Sequence, residues 1–342
     1  MARIFTEGAE KRDIMSFFDV YYNCTIGTSP RSGNYSYFFD WQQEAARSLP
    51  SLSELYYRFA IRLRANFWTE TRSLMAFTAI NHLNQHIVGL RLVGGRLKVR
   101  LGGNREGVGS TEYDTDNVAM IKDIYYLIEL YLKIDSTNGR VIVKRDGVVI
   151  FDYTGNTLFH SATAATRLYH CTGQEDIDID DLALNDTTGT EDNAWCGDGR
   201  VIPLLPNGAG DSTQLSVYGA TSNYQAVDEG MNVNWDTDYV YGNTVGYKDL
   251  YNIGNLNIPD GSEIKRVWVT AAARNTTASG GKIALGIKSG TTEDWSDDIT
   301  LGLNYIKYDG KIYTKNPATN NAWTINDIDN LQIGVKITEV GS

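Results

Sequence analysis

Apolar and polar side chains alternate with a period of two along several stretches of the chain, the signature of half-buried β-strands. In VGLRLVGGRLKVRL (88–101), Leu90 and Leu92 alternate with charge, Gly94-Gly95 interrupts, and Leu97, Val99 and Leu101 resume the alternation. Two strands joined by a two-residue turn fit this pattern. LIELYLKI (127–134) places Ile128, Leu130, Leu132 and Ile134 on one face. A short helix competes there, and the Asn138-Gly139 turn signal that follows favours a strand. RVIVKRDGVVIFDY (140–153) reads as a second hairpin around Asp146-Gly147, and IDIDDLAL (177–184) as a further strand. Residues 185–199 lose the periodicity and gather turn formers, so a domain boundary is expected there, giving domains 1–189 and 190–342. Strands are expected again at 264–274, 282–289 and 331–340, with a hairpin around Asp309-Gly310 in 301–314. Short strands at this spacing predict an all-β protein of two β-sandwich, jelly-roll-like domains.

Composition agrees with that class. The 342 residues include 33 Gly and 21 Tyr, residues suited to turns and to pleated, half-buried surfaces respectively. The net charge is -11, with most of the acidic excess beyond residue 190. That balance argues against nucleic acid as a partner, because phosphate binding needs a basic surface. Cys24, Cys171 and Cys196 have no CxxC spacing, which speaks against zinc and for reduced, buried thiols. The polar start MARIFTEGAEKRD lacks the apolar core of a secretion signal, and no run of 18 apolar residues offers a membrane span. Synthesis in a cytosol without membrane association is the expectation.

Three patterns bear on chemistry. Asp176, Asp178 and Asp180 recur at every second position, so a strand would set them on one face about 6.5–7 Å apart. Such a row suits a metal site, with Ca2+ as the fitting ion, or the acid pair of a glycoside hydrolase; a solvent-facing strand is the plain alternative. His82 and His86 stand four apart in HLNQH but lack the Glu of a zinc-hydrolase motif, and read as ordinary histidines. In the hairpin 88–101, a two-residue turn sets Arg91 opposite Lys98 and gives Arg91, Arg96, Lys98 and Arg100 one outward face. Like charges placed opposite one another repel, so this face is expected to meet the acidic surface of another copy, with a plain solvated edge as the alternative. The early tyrosines Tyr21, Tyr22, Tyr35, Tyr37, Tyr56 and Tyr57, and later Trp235, Tyr239, Tyr241, Tyr247 and Tyr251, suit core, interface or sugar stacking.

The stretches ARIFTEGAE, SGNYSYFF (32–39), GRVIVKRDGVVIFDYTG (139–155) and IDIDDLALND (177–186) occur in an order that resembles concanavalin A-like lectin/laminin-G sandwiches, particularly those of tailed bacteriophages. WCGDGRVIPLLPNGAGDSTQL (195–215), DTDYVYG (236–242), KDLYNI (248–253) and NPATNNAWTINDIDNLQIGVKI (316–337) resemble the module that follows such domains in phage proteins. The resemblance implies a non-enzymatic virion component of tail, baseplate, collar, fibre or head decoration. Its implied partners are other virion proteins, copies of itself and host surface polysaccharide. A glycan-binding adhesion protein and a glucanase-like enzyme are the alternatives. The glucanases of this fold carry an ExDxE row, and the Asp176, Asp178 and Asp180 row lacks its glutamates.

Overall fold

The computed structural model describes residues 3–40, 43–64, 73–79, 85–104, 108–171, 176–230, 236–277 and 280–341. They form two compact units, 1–202 and 203–342. Among the described residues the first unit has fifteen strands: β1 (Arg3–Glu7), β2 (Val20–Tyr22), β3 (Thr25–Gly27), β4 (Ser36–Phe39), β5 (Glu44–Leu52), β6 (Glu54–Leu63), β7 (Ser73–Thr78), β8 (His86–Val93), β9 (Arg96–Gly102), β10 (Ser110–Ala119), β11 (Tyr125–Lys133), β12 (Gly139–Arg145), β13 (Val148–Gly155), β14 (Ala165–Cys171) and β15 (Ile177–Asp186).

They pair into two antiparallel sheets. One has eight strands in the order β13-β12-β11-β6-β15-β4-β3, with β1 beside β15; the other has seven, in the order β10-β9-β8-β7-β14-β5-β2. The expected hairpins are present: Leu92 faces Leu97 and Arg91 faces Lys98 across β8 and β9, and Ile142 faces Asp152 across β12 and β13. Their turns need positive φ at both central positions, which Gly94-Gly95 and Asp146-Gly147 supply. The reading of 127–134 as strand holds, since β11 sits between β6 and β12.

Period-two alternation builds the core between the sheets. On β6, Leu55, Tyr57, Phe59, Ile61 and Leu63 point inward, while Tyr56, Arg58 and Arg62 lie on the other face. Met75, Phe77, Val88, Leu90, Val99 and Leu168 answer them from the seven-stranded sheet. Each such side chain contributes about 1.5–3 kcal/mol by leaving water. His170 is enclosed in this core, with Nε2 2.6 Å from the Tyr57 hydroxyl. Burial lowers its pKa to about 3, so it packs as a neutral ring.

The unit boundary falls between Ile202 and Pro203, later than the 189/190 division read from the turn formers. The reason is a set of clamps from the outer face of the eight-stranded sheet. Arg58 donates to Gly197 O, Glu129 accepts from Gly197 N, Asp181 accepts from Val201 N, and Asn185 donates to Ala194 O. Residues 194–201 lack periodicity because they cross a sheet face as a strap. Cys196 lies within this strap and Cys24 in the core, both as free thiols pushed up by burial to about 11 and about 12.

In the second unit a six-stranded sheet runs Pro206–Thr213, Lys248–Ile253, Gln332–Glu339, Lys282–Ser289, Thr292–Trp295, with Ile299–Thr300 also beside Lys282–Ser289. The expected hairpin over 301–314 is not formed. Ile306–Asp309 pairs with Thr270–Ala273, and Tyr313 instead bridges to Val267. The core includes Leu285, Ile287, Trp323 and Leu331. The helix Ile325–Asp329 begins at Thr324, whose capping box with Asp327 satisfies the first free N–H groups. Among the described residues no helix is long and apolar enough to cross a membrane.

Candidate functional site

Asp178 and Asp180 lie on β15, next to β6, with Asp176 just before the strand, and the row is neither a solvent-facing strand nor convergent on one ion. Asp178 is fully buried and takes both guanidinium groups of its neighbours: Arg62 Nη2 at 2.7 Å and Arg64 Nη2 at 2.5 Å, with the Ser36 hydroxyl at 3.0 Å. Asp176 sits beside Asp40, and burial followed by that contact raises it to about 6. A β-bulge at Asp181, whose φ is 50°, turns Asp180 and Asp181 both outward while Ile179 and Leu182 stay in the core. Asp180 accepts from the backbone N–H of Arg31 and Ser32. Burial, then the neighbouring Asp181 charge, raises it to about 8. Asp181 holds Ser32 Oγ at 2.6 Å and Arg31 Nη1 at 3.2 Å. The carboxylates fasten a loop and a strap to the sheet. Among the described residues no group of three or more His, Cys, Asp or Glu is placed to hold a metal ion.

The basic ladder has the predicted register, but its acids come from the same chain. Glu112 on β10 receives Arg91 at 3.0 Å, Arg100 at 3.0 Å and Lys98 at 3.3 Å, and Asp114 receives Lys98 at 2.9 Å. Arg96 donates to Asn117 O. Burial works against the Glu112 charge, yet the hydrogen bonds from Arg100 and Arg91 outweigh it and hold the group below the usual carboxylate range. The repulsion between Arg91 and Lys98 is therefore offset within the monomer, and no neighbouring copy is needed to explain it.

This ladder is one side of a larger arrangement on the outer face of the seven-stranded sheet. Strand register sets Val20, Ala46, Tyr169, Ala76, Gly89, Arg100 and Glu112 in one row across the sheet. The adjoining row holds Ser48, Arg167, Thr78 and His86. Ala76 and Gly89 make a floor of small residues. Tyr169 stands on one side, its hydroxyl 2.6 Å from Glu44 Oε2 and its ring centroid 6.4 Å from that of His86. Arg100 and Arg91 stand on the other. A Cβ added at Gly89 would lie 3.8 Å from His86 Nδ1, which places the imidazole over this floor.

Three polar groups there are buried and make no hydrogen bond: Thr78 Oγ1, Arg100 Nη1 and Arg167 Nε. They come from three strands of the same sheet, and Thr78 is 0% and Arg100 5% exposed. Leaving a buried polar group unpaired costs about 1–3 kcal/mol, more for a charged one. A cluster of such groups on one face is a site built to hydrogen-bond something from outside the chain.

Of the residues picked from sequence, Arg91, Lys98 and Arg100 belong to this face, and so does His86, while His82 lies outside the described residues. Thr78, Arg167, Tyr169 and Glu44 were missed, because only the pairing of β7 with β14 and β14 with β5 brings them in. Among the aromatics, Tyr37 and Tyr57 are core residues. Tyr218, Tyr239 and Tyr241 share one face of a two-stranded ribbon, with centroids at 5.0 and 5.8 Å, and Trp235 lies outside the described residues.

Comparison with known proteins yields no matching family model and no matching curated protein. Solved structures do match the sandwich. One is the endo-β-1,4-glucuronan lyase of the fungus Trichoderma reesei, at 13% identity and a TM-score of 0.43, over 54% of this chain and 96% of that one. A second is the cellulose-induced protein Cip1, at 13% identity and a TM-score of 0.42, over 56% and 100%. A third is a carbohydrate esterase from the Shiga toxin-encoding bacteriophage phi24B, at 10% identity and a TM-score of 0.40, over 54% and 98%. The class is that of all-β, jelly-roll-like sandwich proteins.

Proposed function

We propose that the chain is a non-enzymatic virion component whose first unit binds a glycan on the outer face of its seven-stranded sheet. The observation that carries the binding is the set of buried, unbonded donors at Thr78, Arg100 and Arg167 around the floor of Ala76 and Gly89. A saccharide offers many hydroxyl acceptors and a face that packs on small side chains. The strands lie about 4.8 Å apart, so an extended ligand crossing them meets a new side chain on the scale of one sugar ring.

The acids on this face do not suit hydrolysis. Hydrolysis of a glycosidic bond needs a carboxyl group that stays protonated near neutral pH beside a second, ionised one. On this face Glu112 is held ionised by Arg100 and Arg91, and Glu44 takes the Tyr169 hydroxyl. The described carboxyls of this unit with a raised pKa lie with the eight-stranded sheet instead: Asp180 is enclosed by Arg31 and Ser32, Asp176 sits beside Asp40, and Glu10 accepts from the N–H groups of Asn34 and Tyr35. The place in a virion is supported by the resemblance of 139–155, 177–186 and 195–215 to phage proteins.

Titration of the intact chain against a panel of bacterial surface polysaccharides tests the reading, with reducing ends and unsaturated products assayed in the same mixtures. Binding without cleavage is expected. Cleavage that disappears on substitution of His86 or Tyr169 would overturn the non-enzymatic part, and an absence of binding across the panel would overturn the glycan part.

A further inference from the structure

We infer that the glycan held on this face is acidic, and that Arg100 and Arg167 read a carboxylate on the saccharide. The inference rests on the glycan-binding reading and goes further by naming the ligand class. Two of the three buried groups without a hydrogen bond are guanidinium nitrogens, Arg100 Nη1 and Arg167 Nε. A neutral hydroxyl would satisfy their hydrogen bonds, but a carboxylate also matches the planar fork and the charge.

The local charge agrees. Arg91, Arg96, Lys98, Arg100 and Arg167 lie on the outer face of this sheet, and the carboxylates placed among them are Glu44, Glu112 and Asp114. Among the described residues named, cations therefore outnumber carboxylates, in a chain whose net charge is -11. Arg100 shows the division of labour within one side chain. Its Nε is used by Glu112 at 3.0 Å, which fixes the guanidinium plane, while Nη1 is left buried and unbonded. Arg167 approaches from the far side of Thr78, its register partner on β7. The Thr78 hydroxyl then supplies a neutral donor and acceptor between the two cations, suited to a ring hydroxyl beside the carboxylate.

The test is calorimetric titration of the intact chain with oligomers of galacturonate, mannuronate and glucuronate, with a neutral oligoglucan of equal length, and with poly-glutamate of matched charge. At least one oligouronate is expected to bind about tenfold or more tightly than the oligoglucan, with poly-glutamate weaker than either saccharide. A charge-assisted hydrogen bond lost in Arg167→Gln or in Arg100→Gln should weaken oligouronate binding about tenfold or more and oligoglucan binding by a clearly smaller factor. Among the described residues Arg167 makes no ion pair, so Arg167→Gln remains informative if Arg100→Gln lowers the melting temperature. Oligoglucan binding as tight as oligouronate binding, or oligouronate binding indifferent to both substitutions, would overturn the acidic ligand while leaving glycan binding in place. Equal binding of poly-glutamate would overturn the saccharide. No binding of any saccharide would overturn both readings.

Discussion

The two sheets of the first unit treat their outer faces in opposite ways. The eight-stranded sheet carries a dense set of charges on its outside, and each buried one is answered from within the chain: Asp178 by Arg62 and Arg64, Asp181 by Arg31 and Ser32, and Arg58 by Asp181 O and Gly197 O. None of those buried side-chain atoms lacks a partner, whereas Thr78, Arg100 and Arg167 on the seven-stranded sheet do. Charge alone is thus a poor guide to function. A closed network measures how a face is sealed, and donors left over measure what it is kept for.

The largest expected effect concerns the sealed face. A chain ending at residue 189 lacks the strap that Arg58, Glu129 and Asp181 hold, so each of these buried groups loses its hydrogen bond to the strap. It should be less stable than a chain ending at residue 202 by on the order of 3–5 kcal/mol in denaturant unfolding. Equal stability would mean that the strap is ornamental. Next comes the pH dependence of the same face. Asp180 rises from 3.8 to about 8 on folding, so the folded chain keeps a proton that the unfolded chain releases. The stability tied to this group is fully present below pH 3.8 and is lost as pH rises through about 8. Asp180→Asn should remove that decline, gaining up to about 5 kcal/mol relative to the parent between pH 4 and pH 8. Parallel stability curves for the two chains over that range would contradict it. The smallest effect belongs to the ladder. Arg91→Ser with Lys98→Ser removes partly exposed ion pairs to Glu112 and Asp114, so stability should change by less than about 1 kcal/mol. Oligomeric state by light scattering should stay the same, because the acids are intramolecular.

Much of this fold is legible in the sequence wherever a hairpin closes on itself. The pair Leu92 with Leu97 follows from Gly94-Gly95 alone, whereas Asp146-Gly147 fixes only Arg145 opposite Val148 and Lys144 opposite Val149, and a bulge at Ile150 then sets Ile142 opposite Asp152. Where a strand finds its partner far along the chain, local pattern is silent. Ile306–Asp309 prefers Thr270–Ala273 over the residues after Asp309-Gly310, because the sheet core decides. The site divides in the same way. Arg91, Lys98 and Arg100 share a face by their spacing, while Thr78 and Arg167 meet only through the pairing of β7 with β14. The Asp row was visible as a row, but its burial depends on Arg62, Arg64 and the loop at Arg31, and the bulge at Asp181 has no signal in the alternation of IDIDDLAL.

Thr78→Val distinguishes a face kept for a ligand from a face that is only imperfectly packed. The substitution keeps the shape of the side chain and removes a hydroxyl that makes no hydrogen bond in the free chain. Unfolding free energy and oligouronate affinity should be measured on the same preparation. The expected result is stability unchanged or raised by up to about 1 kcal/mol, together with binding weakened about fivefold or more. A variant that loses stability and binds as the parent does would contradict the assignment of this face to a ligand.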